Sequence, residues 1–86
     1  MKGVVIYVKS TCGYCRKAKA LLDRKGVPYE EIDILRHPER QDEMIGRADG
    51  RTTVPQVFIN GVGVGGCDDI HHLDAQGKLD AMLGVA

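Results

Sequence analysis

The feature that most restricts the fold is Cys12-Gly13-Tyr14-Cys15, set between an apolar run and an amphipathic one. Val4 to Val8 is short, β-branched and almost wholly apolar, the pattern of a strand covered on both faces. From Gly13 to Lys25, Cys15, Ala18, Leu21 and Leu22 fall on one helical face, while Arg16, Lys17, Lys19, Asp23, Arg24 and Lys25 take the other. Both sulfurs therefore sit where a strand hands over to a helix. Free N–H groups and the positive end of the helix dipole stabilise an anion there, so a cysteine in that place titrates at about 3.5 to 7.5 rather than about 8.5. Cys12, at or just before the first turn, is the attacking thiolate on this reading. Cys15, three residues on and deeper, can attack Cys12 once it carries a mixed disulfide.

The remaining chain supplies a small α/β frame. Gly26 ends the first helix and Pro28 prevents its resumption. Tyr29 to Leu35 alternates loosely and suits a second strand parallel to the first, completing a βαβ unit. Pro38 takes the first position of a second helix, with Glu39 in its first turn and Met44, Ile45 and Ala48 as its apolar face. After the turn-rich Gly50 to Pro55, Gln56 to Ile59 reads as a strand, Asn60-Gly61 as a hairpin turn and Val62-Gly63-Val64 as the returning strand. A last helix carries Ile70, Leu73, Leu79, Met82 and Leu83, begun by an Asp cap and weakened or kinked near Gly77. The expected order is β-α-β-α-β-β-α, without repeats or linkers.

Composition narrows the function. At 86 residues the chain reads as one domain, residues 1–86, and 43% hydrophobic content supplies a single thin core. A formal net charge of +0 gives no nucleic-acid surface and no polybasic membrane patch. The run from Met1 to Val8 is too short for a signal peptide and no later run could cross a bilayer, so a cytoplasmic protein is expected. Three cysteines, two of them in C-x-x-C, do not form the paired framework of a small secreted protein. In a reducing compartment the motif reads as redox-active or metal-binding.

C-x-x-C directly after the first strand of a βαβ unit is a thioredoxin-like redox motif. Together with Lys9 before it, Thr53-Val54-Pro55 and Gly65-Gly66-Cys67-Asp68-Asp69 after it, in that order, the chain resembles the glutaredoxins nearly end to end, and most of all the small dithiol bacterial type. The resemblance implies an α/β thioredoxin-like fold with a four-stranded mixed sheet flanked by helices. It also implies a glutathione-disulfide oxidoreductase with Cys12 and Cys15 as its dithiol, glutathione as co-substrate and no obligatory metal. Its partners would be glutathione and glutathionylated or disulfide-containing proteins, not nucleic acid or membrane, and it would act as a monomer.

The same resemblance assigns the glutathione site residue by residue. Thr53, Val54 and Pro55 form one part, the Val54–Pro55 bond being cis in the family so that the Val54 backbone faces the cysteines and pairs with the tripeptide as a strand does. From the residues alone, Pro55 equally suits a trans turn before Gln56. Gly66 lets a ligand approach, and Cys67, Asp68 and Asp69 open a helix whose N–H groups hold the γ-glutamyl carboxylate. An ordinary turn with an Asp cap would use the same residues. Lys9 offers its ammonium to the glycine carboxylate, and Tyr14 packs on the cysteinyl part. Arg40, with Gln41 and Arg36 as rivals, is the second-helix partner of the glycine carboxylate.

Two alternatives use the same sulfurs. Cys12, Cys15, Cys67 and His71 can be written as a zinc set, although a zinc knuckle wants a tight turn where this chain continues into a helix. His37, His71 and His72 otherwise read as surface residues, and Cys67 as a buried small residue or a trappable thiol. Gly13 stands where the commonest dithiol motif of the family has proline. Glycine there goes with members that hold a [2Fe–2S] cluster between two subunits, with the first cysteine of each and two glutathione thiols as ligands. Cys12 is then an iron–sulfur ligand in a carrier or sensor.

Overall fold

The computed structural model describes residues 3–85. Its elements are β1 (Val4–Val8), α1 (Gly13–Arg24), β2 (Glu30–Asp33), α2 (Arg40–Arg47), β3 (Gln56–Ile59), β4 (Val62–Gly65), α3 (Cys67–Ala75) and α4 (Leu79–Leu83). The four strands form one mixed sheet in the order β2-β1-β3-β4. β1 runs parallel to β2 with Tyr7 opposite Ile32, and antiparallel to β3 with Val5 opposite Phe58. β4 returns antiparallel along β3 through Asn60 and Gly61, both at positive φ, which is the backbone an Asn-Gly hairpin turn requires.

The apolar run in β1 is explained by two separate cores. Val4, Ile6 and Val8 point to one face, where they pack with Leu21 and Leu22 of α1, Ile70 of α3, and Leu79 and Leu83 of α4. Tyr7 points to the other face with Ile32, Met44 of α2 and Phe58, whose ring meets that of Tyr7 edge-on at 5.6 Å. A strand clamped between two layers cannot slip register without exposing one whole set of side chains. β1 therefore holds its C-terminal end, and the cysteines that follow, in a fixed place.

Three segments depart from the expected pattern. β2 is shorter than Tyr29 to Leu35, because the Asp33 carboxylate accepts the Leu35 N–H at 2.9 Å and turns the chain, leaving Leu35 exposed. Regular helix begins at Arg40 rather than Pro38, since Pro38 and Glu39 form a turn in which the Arg40 N–H reaches the His37 carbonyl at 2.9 Å. The last helix is two helices. Gly77, at φ +72, ends α3 with its N–H on the Asp74 carbonyl and the Lys78 N–H on the Leu73 carbonyl, a Schellman closure, and α4 starts afresh. Lys25, at the end of α1, binds Asp74 at 2.6 Å and Asp80 at 2.8 Å, so the break is tied to the first helix. Nor is the cap of α3 an aspartate. Gly66 occupies it, and Asp69 in the first turn reaches back to accept the Gly66 N–H at 2.8 Å.

Truncation in the main core should be costly and truncation on the edge strand should not. Leu22→Ala is expected to lower unfolding stability by about 2–5 kcal/mol, and Val62→Ala, on a side chain 63% exposed, by no more than about 0.5 kcal/mol. Urea unfolding followed by circular dichroism measures both.

Candidate active site

Cys12 caps α1. Its backbone is extended (φ −92, ψ 117) and its N–H donates to the Lys9 carbonyl at 3.0 Å. Its Sγ accepts the Cys15 N–H at 3.3 Å. Sulfur thus takes the place that a hydroxyl or carboxylate oxygen holds at most helix starts, and it meets the same unpaired donors and the same end of the dipole. Cys15, one turn on, faces the core and is only 1% exposed. Both are free thiols, and Tyr14 between them is 60% exposed.

The two thiols are driven apart in acidity. Burial acts to raise the Cys12 pKa, but hydrogen bonds from the Cys15 side chain and from the Cys15 and Tyr14 N–H groups, with the charge of Lys9, outweigh it. The net direction for Cys12 is below the ordinary thiol value. Cys15 goes the other way, pushed up to about 12 first by burial and then by its hydrogen bond to Cys12 and the charge there. One sulfur is thereby prepared as an anion and the other as a proton donor beside it.

A cleft of about 290 Å³ opens next to this pair, at the lower end of the range for small-molecule sites. One wall is Arg51 with Thr53, Val54 and Pro55, and the Val54–Pro55 bond is cis. Cys12 Sγ lies 3.9 Å from the Val54 carbonyl, which places the sulfur at the end of that wall. The facing wall is Gly66, Cys67, Asp68 and Asp69 at the start of α3, and Tyr14 forms the rim. A Cβ on Gly66 would stand 3.1 Å from the Pro55 carbonyl, so glycine there lets the two walls approach.

The structure thus brings eight of the sequence-derived residues (Tyr14, Thr53, Val54, Pro55, Gly66, Cys67, Asp68 and Asp69) around one cleft, with Cys12 at its end. Lys9 does not line it but acts on Cys12 through its charge. Arg40 is elsewhere. Its guanidinium binds Glu43 at 3.0 Å, and Glu43 also accepts the hydroxyl of the buried Tyr7. The cation that does stand in the cleft is Arg51, which sequence reasoning passed over although it sits two residues before Thr53. Arg51 Nη2 lies 3.3 Å from Asp69 Oδ2.

The Cys67 thiol is pushed up by burial and by Asp68, which keeps it protonated and makes it a poor second nucleophile. His71 is half-buried, with Nδ1 2.8 Å from the Cys67 carbonyl and 3.5 Å from its Sγ. Among the described residues no three His, Cys, Asp or Glu side chains are grouped to hold a metal ion, so Cys12, Cys15, Cys67 and His71 do not make a zinc set. No helix among them is long and apolar enough to cross a membrane.

What a strand-to-helix junction does with two thiols of opposite acidity is exchange disulfides. The class that this fold and dithiol define is the thiol–disulfide oxidoreductases of thioredoxin-like architecture. A family model described as Glutaredoxin matches residues 4–64. The chain is 53% identical to Glutaredoxin 3 of Escherichia coli (strain K12) over 83 residues, covering 96% of this chain and 99% of that one. It is 52% identical to a Glutaredoxin of Pseudomonas aeruginosa over 83 residues, 96% of this chain and 98% of the relative. The solution structure of a glutaredoxin from Brucella melitensis superposes with a TM-score of 0.84 at 50% identity, covering 99% of this chain and 91% of that one. The crystal structure of a buckwheat glutaredoxin–glutathione complex does so with 0.88 at 35%, covering 96% and 77%. The chain belongs to the glutaredoxin family.

Two measurements probe this geometry. Alkylation by iodoacetamide at neutral pH is expected at Cys12 alone. Because its pKa lies below the ordinary thiol value, the rate should level off at lower pH than that of a free thiol, and it should fall as pH drops through the lowered pKa, which mass spectrometry across a pH series reads directly. Gly65, at φ +103, has no room for a side chain, since a Cβ would lie 2.2 Å from Asp69 Oδ2. Gly65→Ala is expected to dislodge that carboxylate and cost about 1–3 kcal/mol in thermal or urea unfolding.

Proposed function

We propose that this chain works as one glutaredoxin domain, reducing protein–glutathione mixed disulfides and protein disulfides through Cys12 and Cys15 with glutathione as co-substrate. The observation that carries this reading is the position of Cys12 Sγ, 3.9 Å from the Val54 carbonyl at the end of the cleft. A ligand thiol at that end meets the one sulfur prepared as an anion. Support also comes from the shape of the walls. Val54 and the first turn of α3 both line the cleft, and in this reading the Val54 backbone pairs with a peptide as an added strand would while the first-turn N–H groups hold a carboxylate. In this reading Asp68 and Asp69 meet the γ-glutamyl ammonium, Tyr14 covers the cysteinyl part and Lys9 lies toward the glycine carboxylate. Arg40, expected to share that carboxylate, is paired with Glu43 at 3.0 Å and does not line the cleft.

The reaction follows from the two pKa values. Cys12 thiolate attacks the glutathione sulfur of the mixed disulfide; the Cys12–glutathione bond forms, and the substrate sulfur leaves as a thiolate and takes a proton. A second glutathione thiolate attacks the sulfur of the bound glutathione, releasing glutathione disulfide and restoring Cys12. With a protein disulfide, Cys12 bonds to one substrate sulfur and Cys15 then displaces the substrate by forming the Cys12–Cys15 disulfide, at intramolecular speed. Such chemistry suits a monomer in a reducing, cytoplasmic setting.

One observation favours a second reading. Gly13 has nothing beyond its chain neighbours within 4 Å of where a Cβ would be, so no side chain is packed over the chain at the residue after Cys12. Cys12 thiolates from two copies of the chain, with two glutathione thiols, make the four soft ligands that a [2Fe–2S] cluster takes. A carrier of that kind is brown and dimeric when isolated anaerobically with glutathione, whereas the oxidoreductase is colourless and monomeric.

Single cysteine variants test the assignment of roles. Cys12→Ser should reduce both activities by about a thousandfold or more, measured with a glutathionylated peptide and with a protein disulfide. Cys15→Ser should keep deglutathionylation within about threefold and lose about nine-tenths of protein disulfide reduction. Full activity in Cys12→Ser contradicts the mechanism outright.

A further inference from the structure

Asp69 is held more firmly than its capping role requires. Its Oδ2 accepts the Gly66 N–H at 2.8 Å, which is all that the return bond of a capping box asks of it. The carboxylate also lies in the space where Gly65 lacks a Cβ, and it meets Arg51 Nη2 at 3.3 Å. Arg51 comes from the connector between α2 and β3, eighteen residues away in the chain. An exposed pair of this kind adds little to stability. Its consequence lies in the cleft that both side chains line.

There the charges alternate. Asp68 and Asp69 supply two carboxylates on the α3 wall, and Arg51 is the cation on the facing wall. An amino-acid head group carries an ammonium and a carboxylate on one carbon, and the two must be received by opposite charges a few ångströms apart. The acidic pair receives the ammonium, but by itself it repels the carboxylate as that group approaches the α3 N–H groups. Arg51 offsets this repulsion and, through Asp69 Oδ2, fixes which way the acidic oxygen faces. The downward shift of the Asp69 pKa, owed first to the Gly66 N–H and then also to Arg51, is consistent with that geometry.

We propose that Arg51, by holding Asp69 across the cleft, is the positioning residue that makes the site select thiols carrying a zwitterionic amino-acid head group. This inference rests on the glutathione reading of the cleft and deepens it. Arg51 touches no reacting sulfur, so its effect belongs to binding and not to the rate of exchange at saturation.

The test compares one peptide disulfide-linked to glutathione, to cysteinylglycine, which lacks the γ-glutamyl group, or to cysteamine, which lacks both carboxylates. Arg51→Met is expected to raise KM for the glutathionylated peptide about tenfold with kcat within about twofold, and to leave the other two peptides unaffected. Arg51→Lys should recover part of the loss, since it keeps the charge but not the fork. In NMR titration of the Arg51→Met protein, Asp69 should ionise at higher pH than in the wild type. An unchanged preference in Arg51→Met, or an equal loss for all three peptides, overturns the role of Arg51 while leaving the glutathione reading intact. A wild-type protein with no preference for the glutathionylated peptide overturns that reading itself, and this proposal with it.

Discussion

The start of α1 depends on a sulfur. Cys12 Sγ accepts the Cys15 N–H at 3.3 Å, so the atom that closes the helix is the atom that must react. An oxygen cap would serve the helix as well, but only a thiolate is both stabilised by unpaired donors and strongly nucleophilic near neutral pH. Structure and reactivity therefore use the same free N–H groups. The anion keeps its hydrogen bonds when Cys12 is ionised and loses much of their strength when it is protonated or bonded to another sulfur. Helix start and redox state are linked through that one contact.

For this contact to be useful, the helix must be aimed. β1 does the aiming, with Ile6 and Val8 packed under α1, and Tyr7 packed against Phe58 and Met44 on the opposite side. Each layer alone would leave the strand free to tilt. Together they fix the end of β1, and hence Lys9 and Cys12, against the Val54 carbonyl in the connector that leads into β3. Arg47 closes the second layer by lying 4.6 Å over the Phe58 ring and donating to the Tyr7 hydroxyl at 2.9 Å. A catalytic loop is held in this way by packing on two faces of a strand whose sequence shows little except that it is apolar.

The sequence made legible whatever depends on nearest neighbours. The apolar face of α1, the Asn60-Gly61 turn and the cysteine spacing are local patterns, and each is found at its expected place in the fold. Legibility failed where a distant or side-chain partner decides the outcome. Asp33 ends β2 with its own carboxylate, which a loose apolar alternation does not reveal. Gly77 could bend a helix or end one, and the carbonyls of Leu73 and Asp74 together with Lys25 decide in favour of ending it. The partners of Arg40 and of Arg51 are of the same kind. Arg40 sits on the second helix, where the family resemblance implies a basic residue, but Glu43 three residues on pairs with it, and Glu43 is in turn anchored by Tyr7 from another element. Arg51 looked like an ordinary turn residue because its partner, Asp69, lies beyond two intervening strands.

The unequal acidity of the two cysteines also orders the steps in time. Three influences raise Cys15: burial, its hydrogen bond to Cys12, and the negative charge on Cys12. The last two exist only while Cys12 is a free thiolate. Once Cys12 is bonded to a substrate sulfur it is neutral and a poorer acceptor, and only burial still holds the Cys15 proton. The buried thiol therefore becomes more acidic when an attack from within is needed, and it keeps its proton while Cys12 is the free thiolate, so that the negative charge stays on Cys12. In a pair of equally exposed cysteines solvent would screen the charge that one sulfur puts on the other, and the order would be weaker. The depth of Cys15 beneath Cys12 is thus part of the chemistry, and the packing of α1 against β1 sets it.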